Sequence, residues 1–217
     1  MPARDPAPHA SGIAAGNEGD GWVSVSRHVV LSPPRSGIAV LAVLSRPGLQ
    51  ALRRHGHAHV ADRCAPGVPA AQVRLVDMAL AAGLARADDA GLLECFDAPW
   101  PRLPVLTGSV AASPSGVTAH LRIPPDLHAL RGHFAAMPIV PGAVQVGWAI
   151  DFARQLLGVS GDFVGLDATK FRRIVQPGHL VELALEWYPE RRELRFEYRS
   201  EGLRSSLGRI RLGATDA

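Results

Sequence analysis

With 217 residues, 47% of them hydrophobic and 20% charged, the chain has enough apolar mass for one large or two small globular domains. Its 23 basic and 20 acidic residues leave a net charge of only +3, scattered among few aromatics, which excludes a nucleic-acid-binding stripe. Two cysteines, Cys64 and Cys95, are too few for a four-ligand metal centre and read as reduced thiols of a cytoplasmic protein.

In chain order, residues 1–21 are rich in Pro, Ala and Gly without periodicity, the composition of a mobile tail with no apolar core of a secretory signal. Residues 22–31 alternate and predict a strand, ended by Pro33, Pro34 and Gly37; Ile38–Leu44 predicts a short buried strand. Pro47-Gly48 opens a predicted helix carrying His55, His57 and His59. His55 and His59 stand one helical turn apart, a zinc-compatible spacing, but lack acidic or thiolate partners at helpful positions other than Asp62 and Cys64. They read as a solvated polar face, and no metal site is expected. A strand over Gln72–Met78 and a helix over about Asp88–Phe96 complete a small α/β domain, 22–96, followed by a proline-rich linker at 97–104.

The second half, 105–214, begins with two extended pieces between Val110 and Ile123 around Ser113-Pro114-Ser115-Gly116, then a turn with Asp126 as a cap. Gly142–Leu157 is the longest apolar run, broken by few polar side chains, among them Gln145, Asp151 and Arg154. Buried strands rarely reach that length, so the run predicts a helix of about 24 Å. Pro141 marks its start and Gly158 its end. Even this run carries too many charges for a membrane span. Four strands follow, at Phe163–Phe171, His179–Trp187, Leu194–Arg199 and Ser205–Leu212. In the second of them Val181, Leu183, Leu185 and Trp187 share one face. One long helix followed by a run of strands predicts an α+β layer, an antiparallel sheet on the helix.

A helix that opens at Pro141-Gly142 presents backbone N–H groups and the positive end of its dipole. His133, nine residues earlier in a proline-stiffened loop, can face them. An imidazole opposite a backbone donor suits proton abstraction beside a carbonyl. Taken alone, a histidine in such a place more often caps or packs.

The string HFAAMPIVPGAVQVGWA resembles the active-site loop and central helix of the hotdog-fold 3-hydroxyacyl-acyl-carrier-protein (ACP) dehydratases, closest to the aryl-polyene-type branch. The matching positions are Gly132, His133, Phe134, Pro138, Ile139, Pro141, Gly142, Gln145, Trp148 and Ala149. Further matches are Lys170-Phe171, Pro177-Gly178 and the segment SSLGRIRL. The resemblance covers about 105–214 and implies a hotdog domain, no cofactor, and dehydration of an acyl thioester in fatty-acid or polyene-type lipid synthesis. It makes His133 catalytic and Gly142 the donor to the thioester oxygen. Phe134, Pro138, Val140, Trp148 and Phe152 become candidate substrate contacts. Lys170, Arg172 and Arg173 become candidate contacts to an acyl carrier protein, though a solvated strand end accounts for them as well.

The chain departs from the family pattern where an Asp or Glu is expected fourteen residues after the histidine: it has Gly147 there, and Asp151 follows one turn later on the same helix face. Family sites form across a dimer. The alternative reading is therefore a non-catalytic or half-site subunit that pairs His133 with a carboxylate from another hotdog chain. A thioesterase is disfavoured by the loop sequence. Residues 22–96 faintly resemble the small C-terminal lid subdomain of adenylate-forming acyl ligases. The ligase Gly-Lys pair is replaced by Gly83-Leu84, which implies an inactive remnant.

Overall fold

The computed structural model describes residues 21–108, 111–113, 116–132 and 134–214. The tail expected over 1–21 lies outside the described residues up to residue 20, and His133 lies outside them too. The chain divides into two units, Met1–Trp100 with Ala135–Met137, and Pro101–Phe134 with Pro138–Ala217.

The first unit is built on a strand that is apolar throughout. β1 (Val23–Val30) pairs antiparallel with β2 (Ile38–Leu44), which pairs in parallel with β3 (Val73–Val76). An apolar run without alternation needs cover on both faces. Val40, Ala42 and Leu44 pack with Leu52 and Val60 of α1 (Arg46–Cys64). Leu41 and Val43 share a second cluster with Leu84 of α2 (Ala81–Arg86) and Leu92 of α3 (Asp89–Asp97). α1 supplies the crossover that the parallel pair requires.

Two buried arginines close the short helices. Arg27 donates to the carbonyls of Leu84 at 2.8 Å and Ala87 at 3.0 Å, and Arg74 to those of Cys95 at 2.9 Å and Ala98 at 2.6 Å. The last carbonyls of a helix have no partner within it and carry the negative end of its dipole, so a forked cation fits there.

Several local expectations change. α1 starts at Arg46, with Ser45 as its cap, rather than at Pro47-Gly48. At Gly56 (φ 79°, ψ 174°) it leaves helical geometry, so His55 and His59 do not lie on one continuous turn, although their rings are 4.9 Å apart. Among the described residues no group of three or more His, Cys, Asp or Glu is placed to hold a metal ion. α2 was not expected. The N-cap residue of the short 3-10 turn His128–Leu130 is Leu127 rather than Asp126, which is buried.

In the second unit β4 (Val105–Leu106), β5 (Ala111–Ser113) and β6 (Gly116–Arg122) precede the central helix α4 (Gly142–Leu157). After α4 come β7 (Phe163–Phe171), β8 (Leu180–Tyr188), β9 (Glu193–Ser200) and β10 (Leu203–Leu212). The sheet runs β4-β6-β8-β9-β10-β7, with β5 also on β6, and its pairs are antiparallel. Val181, Leu183 and Leu185 of β8 are buried while Glu182 and Glu186 are exposed. That face shares a core with Val146, Ala149, Ile150, Phe152 and Ala153 of α4. Each large apolar side chain so buried contributes roughly 1.5–3 kcal/mol. A sheet wrapped on one long helix is the hotdog arrangement. It leaves the first turn of α4 beside the end of edge strand β7. Among the described residues no helix is long and apolar enough to cross a membrane.

Candidate active site

Pro141 occupies the N-cap of α4 (φ −58°, ψ 145°), no side chain caps that end, and no acid stands in the first turn. The helix's own sequence therefore leaves the positive end of its dipole without a countercharge. That end opens into a cleft of about 440 Å³. Phe134, Val140 and Gly142 line it on the loop-and-helix side, and Phe171, Arg172 and Arg173 at the end of β7. The cleft thus brings together five of the sequence-predicted residues and adds Phe171, Gln145, Ile139 and Ile174.

Gly142 is closely packed. A Cβ there would stand 2.6 Å from Cζ of Phe171, whose ring lies against the start of the helix. The loop before it is bent: Gly132 has φ 74° and Phe134 has φ 52°, the left-handed region that a bulky residue seldom adopts. Between these two lies position 133. Such backbone strain concentrates at functional sites.

Buried amides hold the rest of the loop. Val140 N donates to Val175 O at 2.8 Å, Gln145 Nε2 to Val140 O at 3.2 Å, and Gln176 Nε2 to Pro138 O at 3.3 Å. Ser206 Oγ donates to Gln145 Oε1 at 2.7 Å, and the Tyr198 hydroxyl to the Gln145 carbonyl at 2.9 Å. Complete burial, then the charge of Asp151, push the Tyr198 hydroxyl well above the ordinary tyrosine pKa.

The other predicted residues lie apart from the cleft lining. Pro138 is buried. Trp148 and Phe152, each 3% exposed, belong to the core, and Trp148 Nε1 donates to Arg102 O at 2.8 Å. Lys170 is exposed on β7. The backbone N–H groups of Arg172 and Arg173 both bond Ser205 O, at 2.8 and 3.1 Å, and both residues line the cleft. Asp151 is half exposed, with an oxygen 4.0 Å from Arg154. A Cβ at Gly147 would meet nothing within 4 Å.

Gln145 and Phe171 are visible in the sequence as an amide inside an apolar stretch of helix and an aromatic between basic residues, but neither pattern by itself assigns a role. A wider hollow of about 740 Å³ on the outer face of the sheet is lined by charged side chains such as Glu197 and Arg199. Glu197 pairs with both Arg199 and Arg204, so the hollow reads as a solvated charge ladder.

The model of the ApeI-like family, described as ApeI dehydratase, matches residues 109–209, so the first unit stands outside the match. The curated 3-hydroxyacyl-[acyl-carrier-protein] dehydratase FabZ of Jannaschia sp. (strain CCS1) is 36% identical over 83 residues, covering 33% of this chain and 52% of that protein. FabZ of Cereibacter sphaeroides is 38% identical over 63 residues, covering 25% and 41%. The chain thus spans about half the length of the curated relatives it matches. Among solved structures, "The Dehydratase Heterocomplex ApeI:P from Xenorhabdus doucetiae" is 28% identical with a TM-score of 0.48, covering 51% of this chain and 98% of that one. In its hotdog architecture and over residues 109–209, the second unit of this chain is similar to the ApeI-like dehydratases and to the 3-hydroxyacyl-ACP dehydratases.

Proposed function

We propose that the second unit acts on 3-hydroxyacyl thioesters carried by an acyl carrier protein, eliminating water to give the trans-2-enoyl thioester. The observation that carries this reading is the cleft at the uncapped N-terminus of α4, where Gly142 meets the loop that holds His133. The thioester carbonyl would lie against the Gly142 N–H, which stabilises negative charge as it develops on the oxygen. His133 takes the proton from the α-carbon, the β-carbon–oxygen bond breaks, and the hydroxyl leaves as water once a second group protonates it. Phe134 and Val140 would flank the acyl chain. Arg172 and Arg173, with Lys170 behind them, suit the phosphate of a pantetheine arm or an acidic carrier.

The second proton donor decides between two versions. Gly147, at the family's acid position, has open space around it, which favours a carboxylate contributed by another hotdog chain. Asp151 is the alternative within the chain, one turn further on and half exposed. On one 3-hydroxyacyl-ACP, the homo-oligomer is expected to turn over poorly and Gly147→Asp to raise the rate. His133→Ala should abolish turnover in every background. One placed acid or base is typically worth about 10²–10⁴ in rate, well within measurement. Full wild-type activity that Asp151→Asn abolishes would make Asp151 the acid and end the half-site version. No effect of His133→Ala anywhere would remove the dehydratase reading. The first unit lacks the ligase lysine, and no ATP–pyrophosphate exchange is expected from it.

A further inference from the structure

Gln145 is the one amide or charged side chain of α4 that is buried, at 3% exposure, and the other buried positions of that helix are apolar. A buried amide costs free energy unless both its ends are satisfied, and here both are. Nε2 donates to the Val140 carbonyl at 3.2 Å and Oε1 accepts from Ser206 at 2.7 Å. A carbonyl can only accept, so this pair of partners fixes which way the amide points. Ser206 is itself fully buried on β10, and the Tyr198 hydroxyl of β9 donates to the Gln145 backbone carbonyl at 2.9 Å. One side chain therefore joins the loop before the helix to the helix and, through Ser206, to the sheet. It acts within one turn of Gly142. An apolar residue would fill the same space and leave the Val140 carbonyl without this donor.

We propose that Gln145 is a positioning residue. It holds the Val140–Gly142 backbone against the first turn of α4, so that the Gly142 N–H meets the substrate oxygen at the right angle. The assignment rests on the dehydratase reading for its chemical consequence, though not for the tether itself. Misplacing a donor by a fraction of an ångström costs rate more than affinity, because the charge it serves develops only in the transition state.

The test uses the full chain and a 3-hydroxybutyryl thioester of pantetheine. Gln145→Leu should lower kcat about 10- to 100-fold with KM within about threefold. It should also speed amide hydrogen exchange over 138–142 while β8 and β9 keep wild-type protection. Ser206→Ala, a gentler change, should do the same to a smaller extent. Gln145→Glu is nearly isosteric but can donate to the Val140 carbonyl only when protonated. Burial and the facing carbonyl raise its pKa. The charged groups at the cleft, Arg172 and Arg173, oppose that from its exposed mouth, and Tyr198 on β9 stays neutral. The kcat of Gln145→Glu should approach wild type at low pH and fall as pH rises through that raised pKa, a profile that lost packing alone would not produce. Unchanged exchange of 138–142 in Gln145→Leu overturns the tether. Faster exchange with unchanged kcat overturns the positioning role. Should neither the wild type nor Gly147→Asp turn over this substrate, the dehydratase reading falls, and the exchange data still decide the tether.

Discussion

A methyl group on Gly142 would press into the Phe171 ring, whereas one on Gly147 would meet open space, so two glycines of one helix answer to opposite constraints. The Phe171 ring is half exposed and can yield, so Gly142→Ala should fold. Overpacking of this kind costs about 1–3 kcal/mol. In a Phe171→Ala background the same substitution should cost under about 1 kcal/mol, since its collision partner is gone. A thermal-denaturation double-mutant cycle measures the difference, and equal costs in both backgrounds would show that the ring does not constrain Gly142. Gly147→Ala, in contrast, should stabilise by up to about 1 kcal/mol, because a mid-helix glycine gives up more backbone entropy than alanine. That the glycine at 147 is not needed for packing is what makes its place at the family's acid position informative.

At the level of elements, the sequence was legible where burial imposes a long or strictly alternating pattern. The apolar run that became α4 could not be a strand at that length, and the alternation of β8 reports which face meets the helix. It failed where one contact decides. α2 has six residues and one buried side chain, Leu84, too little for a period to show. The break in α1 follows from a single positive-φ glycine inside a basic, His-rich stretch that otherwise reads as a uniform helix. The two arginine closures of α2 and α3 join residues more than twenty positions apart and have no local signature. They carry a prediction of their own. Arg74→Met removes the donor to the carbonyls of Cys95, Phe96 and Ala98 at the end of α3, and unsatisfied buried groups cost about 1–3 kcal/mol each in the worst case. A loss of roughly 2–4 kcal/mol in the first unit should follow, with Arg74→Lys in between, because a single ammonium cannot fork across the carbonyls. Hydrogen exchange in α3 reports it. Wild-type protection in Arg74→Met would show that solvent satisfies these carbonyls as well as the guanidinium does.

Over the whole molecule, the loop-and-helix half of the cleft could be read from contiguous residues, and the other half could not. Phe171, Arg172 and Arg173 reach the cleft because β7 pairs with β10 at the sheet edge, and Ser206 reaches Gln145 through the same pairing. Such contacts come from register, not from local pattern. The two units also have separate cores: the cluster on α4 draws on the second unit alone, and the clusters around β2 on the first. We therefore expect residues 101–217 to fold without the first unit. Trp148 is the internal reporter, since its ring is buried and its indole bonds Arg102 within the same unit. The truncated chain should show blue-shifted tryptophan emission and one cooperative denaturant transition of order 5–10 kcal/mol. It should not be monomeric. Phe163, Val164, Leu166 and Phe171 of edge strand β7 are each at least 41% exposed, and a long apolar edge strand calls for cover by another chain. Sedimentation at micromolar concentration should then give twice the chain mass. A cooperative monomer would keep the fold and remove the self-association, while a non-cooperative, red-shifted chain would mean that the second unit depends on the first.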